Sequence, residues 1–157
     1  MIKLLRIDHR LLHGQVAMAW TQSLDSDCIL IANDAVVNDN IRKTTMKLAK
    51  PNGVKLVIKN IEDSIAALNA GVTDKYKLFI VVESIEDAYR LAKGYAGIRS
   101  INLGVCKPKE DIVKTLYKTI PVTARDEEML KELLNDGIEI EIRQVPGEHK
   151  VKVSENM

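Results

Sequence analysis

The chain has 157 residues, of which 46% are hydrophobic and 29% charged, with a formal net charge of +1. That length suggests a single domain over residues 1–157, and a domain of this size buries roughly 68–70% of its unfolded surface without help from disulfides or metals. The small net charge gives no long-range field for nucleic acid, although a local basic patch stays open. The apolar runs are too short to span a bilayer, and the amino terminus lacks a signal-like segment, so the cytoplasm is the expected compartment. Cys28 and Cys106 have no metal-ligand spacing and read as reduced thiols.

In chain order, Lys3–Ile7 reads as the first strand and Gln15–Gln22 as a short helix. Cys28–Ala32 is an unbroken apolar run, the pattern of a strand covered on both faces. Asn38 and Asp39 can cap a helix over Asn40–Ala49, with Ile41, Thr45 and Leu48 at helical spacing. Val54–Ile58 is the third strand, and Asn60 can cap a helix through Ile61, Ile65 and Leu68. Leu78–Val82 is a second continuous apolar strand. Ser84 with Asp87 fits an acidic form of the capping box ahead of Ile85, Ala88, Tyr89 and Ala92.

Ser100–Leu103 is a short strand, and Val105–Tyr117 reads as a loop with an irregular insert. Ile120–Thr123 is a sixth strand, at an edge or strand end because Pro121 cannot donate to a ladder. Arg125–Asn135 is an amphipathic helix. Ile138–Arg143 alternates strictly, which predicts an edge strand with one face exposed. A polar tail from about Pro146 is expected to be loosely ordered. The pattern predicts one α/β domain: a mostly parallel, open twisted sheet with helices on both faces and an antiparallel edge strand.

The candidate chemistry lies in Arg6-Ile7-Asp8-His9-Arg10-Leu11-Leu12-His13-Gly14-Gln15-Val16, a polar loop between the first strand and the first helix. In open α/β sheets ligands bind at the carboxyl ends of strands, where this loop belongs. His13 directly precedes a helix start, whose free N–H groups would receive an anion formed on the ring. His149 lies in the polar tail and carries no signal. Arg10 is three residues before His13, and Arg42 reaches the same rim from the second helix; two guanidinium groups suit a phosphate. Arg6 reads as flanking the first strand. Asp8 can orient an imidazole or hold Arg10, Asp34 can brace the rim, and Gly14 serves the turn. There is no Walker or G-x-G-x-x-G motif. Three readings stay open on these residues alone: phosphoryl transfer, a non-catalytic anion-sensing regulatory module, and a small enzyme using His13 as a general base.

The stretch Arg6 to Val16, with Trp20 after it, closely resembles the active-site signature of the IIB component of the mannose/fructose/sorbose-type bacterial phosphotransferase system (PTS). Weaker matches follow at Asn33-Asp34, Ile41-Arg42-Lys43-Thr44, Asn102-Leu103-Gly104 and Gly137-Ile138-Glu139. The resemblance implies that His13 accepts a phosphoryl group from a phosphohistidine of the IIA component. The group then passes to a sugar brought by the membrane components IIC and IID. It matches the family's two functional arginines to Arg10 and Arg42, with Asp8, Gly14, Gln15 and Asp34 in support. His9 occupies a variable position and is not the phosphosite. One departure is Val105-Cys106, where family members often carry a second glycine. No cofactor, metal or nucleic acid is implied; a homodimer is compatible, and the protein would work at the inner face of the membrane.

Overall fold

The computed structural model describes residues 1–157. Strands and helices alternate as β1 (Ile2–Asp8), α1 (Gly14–Leu24), β2 (Cys28–Ala32), α2 (Asn40–Ala49), β3 (Lys55–Lys59), α3 (Ile61–Asn69) and β4 (Leu78–Val82). There follow α4 (Ile85–Gly94), β5 (Ser100–Val105), β6 (Ile112–Leu116), β7 (Ile120–Thr123), α5 (Ala124–Asn135), β8 (Glu139–Ile142) and β9 (Val151–Lys152). The main sheet has the order β3-β2-β4-β1-β5-β8-β9. All neighbours pair in parallel except β9, which is antiparallel to β8. The unbroken apolar runs β2 and β4 are buried at every position, because helices cover both of their faces.

The sheet separates two cores. Ala17 and Trp20 of α1 and Met46 of α2 pack with Leu4, Ile29, Ile31 and Phe79 on one face. Helices α3, α4 and α5 pack on the other, with Leu5, Ile7, Leu30 and Ile80. This division follows from chain direction: β1 to β2 to β3 runs one way along the sheet, and β3 to β4 to β5 returns, so crossovers of one hand put the helices on opposite faces. Four helices have side-chain caps, from Asp39, Asn60, Ser84 and Thr123. The full reciprocal capping box is Thr123 with Asp126, not Ser84 with Asp87. Ser84 accepts from the Asp87 N–H, but Asp87 does not return the bond.

Four expectations are corrected. Ile41 and Leu48 are not core residues; they are 80% and 83% exposed. Helix α2 leads to β3 at the sheet edge, and only Met46 of the helix is fully buried. The segment 105–117 contains β6, which pairs with β7 in a separate two-stranded ladder. Ile112 and Val113 stay exposed and only its last residue, Leu116, is buried, so no alternating burial pattern announced it. The strand at 138–143 is not the edge, because β9 lies outside it and supplies the antiparallel edge. Its alternation misleads because Glu141 is buried against Arg143. The tail is also tied down: Val153, in a short 3₁₀ turn, is fully buried.

Candidate active site

Strand β1 ends in a loop that is fixed from both sides. Asp8 Oδ1 accepts the Arg10 N–H at 3.0 Å, an Asx-turn, and the Asp8 carbonyl accepts the Leu11 N–H at 2.8 Å. The His9 N–H donates to the Val105 carbonyl at 2.9 Å, tying the loop to β5. Leu11 adopts φ 61°, and Gly14 has φ 48°. A left-handed leucine is costly, and its side chain is held by burial: Leu11 and Leu12 both plug the core under α1. The loop is thereby anchored by two apolar residues while His13, Gly14 and Gln15 face solvent.

His13 is the N-cap residue of α1, but its side chain caps nothing. The first backbone bond back to the loop is from the Ala17 N–H to the His13 carbonyl. The N–H groups of Gly14, Gln15 and Val16 therefore lack helical partners, as at any helix start, and no acidic side chain occupies that turn. An exposed imidazole beside free, outward N–H groups is suited to carry an anion.

Arg10 is held by Asp8, through Nε to Oδ1 at 3.0 Å and Nη2 to Oδ2 at 2.9 Å. Asp8 therefore holds Arg10 and does not hydrogen-bond an imidazole. Behind it, Arg6 is not a flank of the strand but its buried centre, only 2% exposed. Its Nη2 donates to Asp8 Oδ2 at 3.1 Å and its Nη1 to Asn102 Oδ1 at 2.5 Å. Strand register explains the meeting: Arg6 lies opposite Asn102 on β5, which lies opposite Glu141 on β8. Asn102 donates to Glu141 and to the Arg143 carbonyl, and Arg143 pairs with Glu141 at 3.1 Å. The guanidinium groups of Arg6 and Arg143 both lie against the Trp20 ring of α1, at 5.1 and 4.9 Å from its centre, and Trp20 donates to the Gln144 carbonyl.

Burial pushes the Asp8 carboxyl up, but hydrogen bonds from Arg10 and the charge of Arg6 outweigh it and leave it below the ordinary carboxylate range. Burial works against the charge on Arg6, and Asp8 opposes that effect. Sequence pattern alone makes Arg6 a flank of the first strand, leaves Asn102 and Trp20 to the family likeness, and gives Glu141 and Arg143 no role. A signal was present: arginine and asparagine inside apolar strands must find partners when buried.

Arg42 stands in the first turn of α2, where its N–H donates to Asp39 Oδ1, and its side chain is half-exposed. Helix α2 contains Arg42, Lys43 and Lys47, followed by Lys50, and no acidic residue. None of these four cations forms an ion pair. Asp34 at the end of β2 is occupied as a brace: it accepts the Ile61 N–H at 2.9 Å and pairs with Arg90 at 3.0 Å. Burial pushes the Cys106 thiol up to about 12, which makes it a poor nucleophile. No group of three His, Cys, Asp or Glu side chains is placed to hold a metal ion.

The model of the family described as PTS system sorbose subfamily IIB component matches residues 2–157. A probable phosphotransferase enzyme IIB component of Streptococcus pyogenes is 35% identical over 161 residues, covering 99% of this chain and 98% of that protein. The mannose-specific EIIAB component of Escherichia coli is 31% identical over 152 residues, covering 97% of this chain and 47% of that longer relative. The crystal structure of the IIBSor domain of the sorbose permease from Klebsiella pneumoniae matches with a TM-score of 0.92 at 27% identity, over 99% of this chain and 95% of that one. The chain belongs to the sorbose subfamily of PTS IIB components, which are phosphotransferases.

Proposed function

We propose that His13 is the phosphoryl carrier of this IIB component, loaded from a phosphohistidine of a IIA protein and discharged to a sugar held by membrane components IIC and IID. The observation that carries the reading is the exposed, unbonded imidazole at the uncapped start of α1. In the transfer, a ring nitrogen of neutral His13 attacks phosphorus as the donor's N–P bond breaks. Such in-line transfer needs positioning and charge stabilisation more than covalent help from the protein. The N–H groups at the start of α1 and the guanidinium of Arg10 face the incoming oxygens, and Arg42 adds a charge not committed elsewhere. Asp8 sets the direction of Arg10. Gly14 and Gln15 act through the turn and its N–H groups, and Asp34 acts by bracing the rim. The unpaired cations of α2, on a helix that also exposes Ile41 and Leu48, suit the docking of an acidic phosphoprotein.

No helix is long and apolar enough to cross a membrane. From its family, we place the protein on the cytoplasmic face of the membrane, held there by IIC and IID. The test is mass spectrometry after incubation with the phosphorylated general phosphocarrier and IIA. The expected result is one acid-labile, base-stable phosphoryl group on His13, absent from His13→Ala and retained by His9→Ala. Labelling of His13→Ala, or reversible phosphate binding without a phosphoprotein, refutes the assignment. Arg10→Ala and Arg42→Ala should each slow delivery to sugar in the assembled system.

A further inference from the structure

On the opposite face of the sheet from α1, the edge strand β3 is left partly uncovered. Its Val57 is half-buried, and with Cys28, Leu30 and Leu78 it floors a cavity of about 300 Å³. Lys55, Val57 and Lys59 alternate on one strand, so all three point to this face, the two lysines about 13 Å apart along it. Lys75 and Tyr76, from the loop between α3 and β4, form the end wall beside Lys55.

That wall is held in shape. The amino-terminal ammonium group of Met1 donates to the Asp74 and Tyr76 carbonyls at 3.1 and 2.7 Å. The Tyr76 N–H closes a turn onto the Thr73 carbonyl. Lys55 Nζ donates to the Tyr76 hydroxyl at 3.0 Å, and both Lys55 and Lys75 lie over the Tyr76 ring, at 5.1 and 5.2 Å from its centre. Three ammonium groups thus surround an apolar floor. None forms an ion pair, and no acidic side chain lines the cavity.

We propose that this cavity is a binding site for a small organic anion, a carboxylate or phosphate on an apolar body. The apolar body covers Leu30, Val57 and Leu78, while the anionic head meets Lys55 and Lys75 beside Tyr76. The volume is at the lower end of the range for small-molecule sites, about 300–1,000 Å³, which matches a ring or short alkyl chain and not a nucleotide-sized ligand. The cavity opens on the α3 side of the sheet, whereas His13 starts α1 on the other, so the site is separate from the phosphoryl carrier.

The test is amide NMR of the full chain titrated with 4-phenylbutyrate, in parallel with neutral 4-phenylbutanol. Saturable shifts are expected at Lys55, Val57, Val72 and Tyr76, with the alcohol bound about ten-fold more weakly. Lys55→Gln with Lys75→Gln should lose the anion's advantage, and Ala67→Phe should block both probes; the Trp20 emission of each variant checks its fold. Phosphoryl uptake by His13 should be unchanged in the lysine variant. Equal binding of acid and alcohol, shifts centred on the His9–Gln15 loop, or no saturation at about 5 mM overturns the proposal.

Discussion

Removal of the Asp8 carboxylate should unfold this protein far more readily than removal of the arginine it positions. Asp8 and Arg6 are each 2% exposed, whereas Arg10 is 31% exposed. Asp8→Ala leaves the Arg6 guanidinium buried with only neutral acceptors, Asn102 Oδ1 and the Arg143 carbonyl. Breaking a buried pair by deleting one partner costs about 3–5 kcal/mol. For a chain of this length each kcal/mol lowers the melting temperature by about 2–4 °C, so the expected fall is roughly 6–20 °C. Arg10→Ala keeps the Arg6–Asp8 pair, and Arg10 is open to screening, so its cost should be about 1 kcal/mol or less. Thermal melts followed by circular dichroism, backed by urea midpoints at unchanged m, measure both. The double variant Arg6→Met with Asp8→Ala should recover most of the loss, since no charge is then stranded. A single-variant cost below about 1 kcal/mol, or a double variant no better than Asp8→Ala, refutes the buried-charge argument. Because the folded Asp8 carboxyl is held below its ordinary range, its stabilisation is complete above about pH 4 and is lost as pH falls through the lower folded value. The acid limb of the stability curve should therefore flatten in Asp8→Ala.

The opposite sign is expected at Asp87, whose carboxyl is raised to about 6 by burial and the nearby charge of Glu83, against the pull of Arg90. The folded state holds that proton longer than the unfolded chain, so stability falls as pH rises from about 4 to 6. Asp87→Asn should stabilise by about 1 kcal/mol at pH 7.5, after discount for partial exposure, and by nothing near pH 3.5; carbon NMR of the carboxyl should show the inflection. Gly104→Ala should lower the urea midpoint by about 1–3 kcal/mol equivalent, because a Cβ there would overlap the pinned Arg6 guanidinium. Val153→Asp should cost about 1.5–3 kcal/mol and speed amide exchange in β9, since Val153 is fully buried. Unchanged exchange would mean that the tail is not held by that side chain.

Neighbouring residues carry the part of this protein that could be read directly. The apolar runs of β2 and β4, the helix caps at Asp39, Asn60 and Ser84, and the strand–loop–helix unit around His13 are all local patterns. Period, capping and turn chemistry act over two to four residues, so they are visible in one dimension. Helix α2 shows the limit even there. Its spacing of Ile41, Thr45 and Leu48 is that of a buried face, yet the position of the helix over the sheet edge leaves that face in water. Strand β6 gave no pattern because Ile112 and Val113 are exposed and only Leu116 at its end is buried, and the tail became a strand only by finding β8.

The opening loop divides in the same way. Its sequence, read with the family likeness, singled out His13 and Arg10, as the same likeness singled out Arg42 in α2. What holds Arg10 in place was decided elsewhere: Arg6 meets Asn102 across a sequence separation of 96 and the Arg143 carbonyl across 137. Strand register alone aligns Arg6, Asn102 and Glu141 on three neighbouring strands, and Trp20 of α1 covers two of the guanidinium groups involved. A buried charge announces that it needs a partner, but only the pairing of distant strands determines which one it finds.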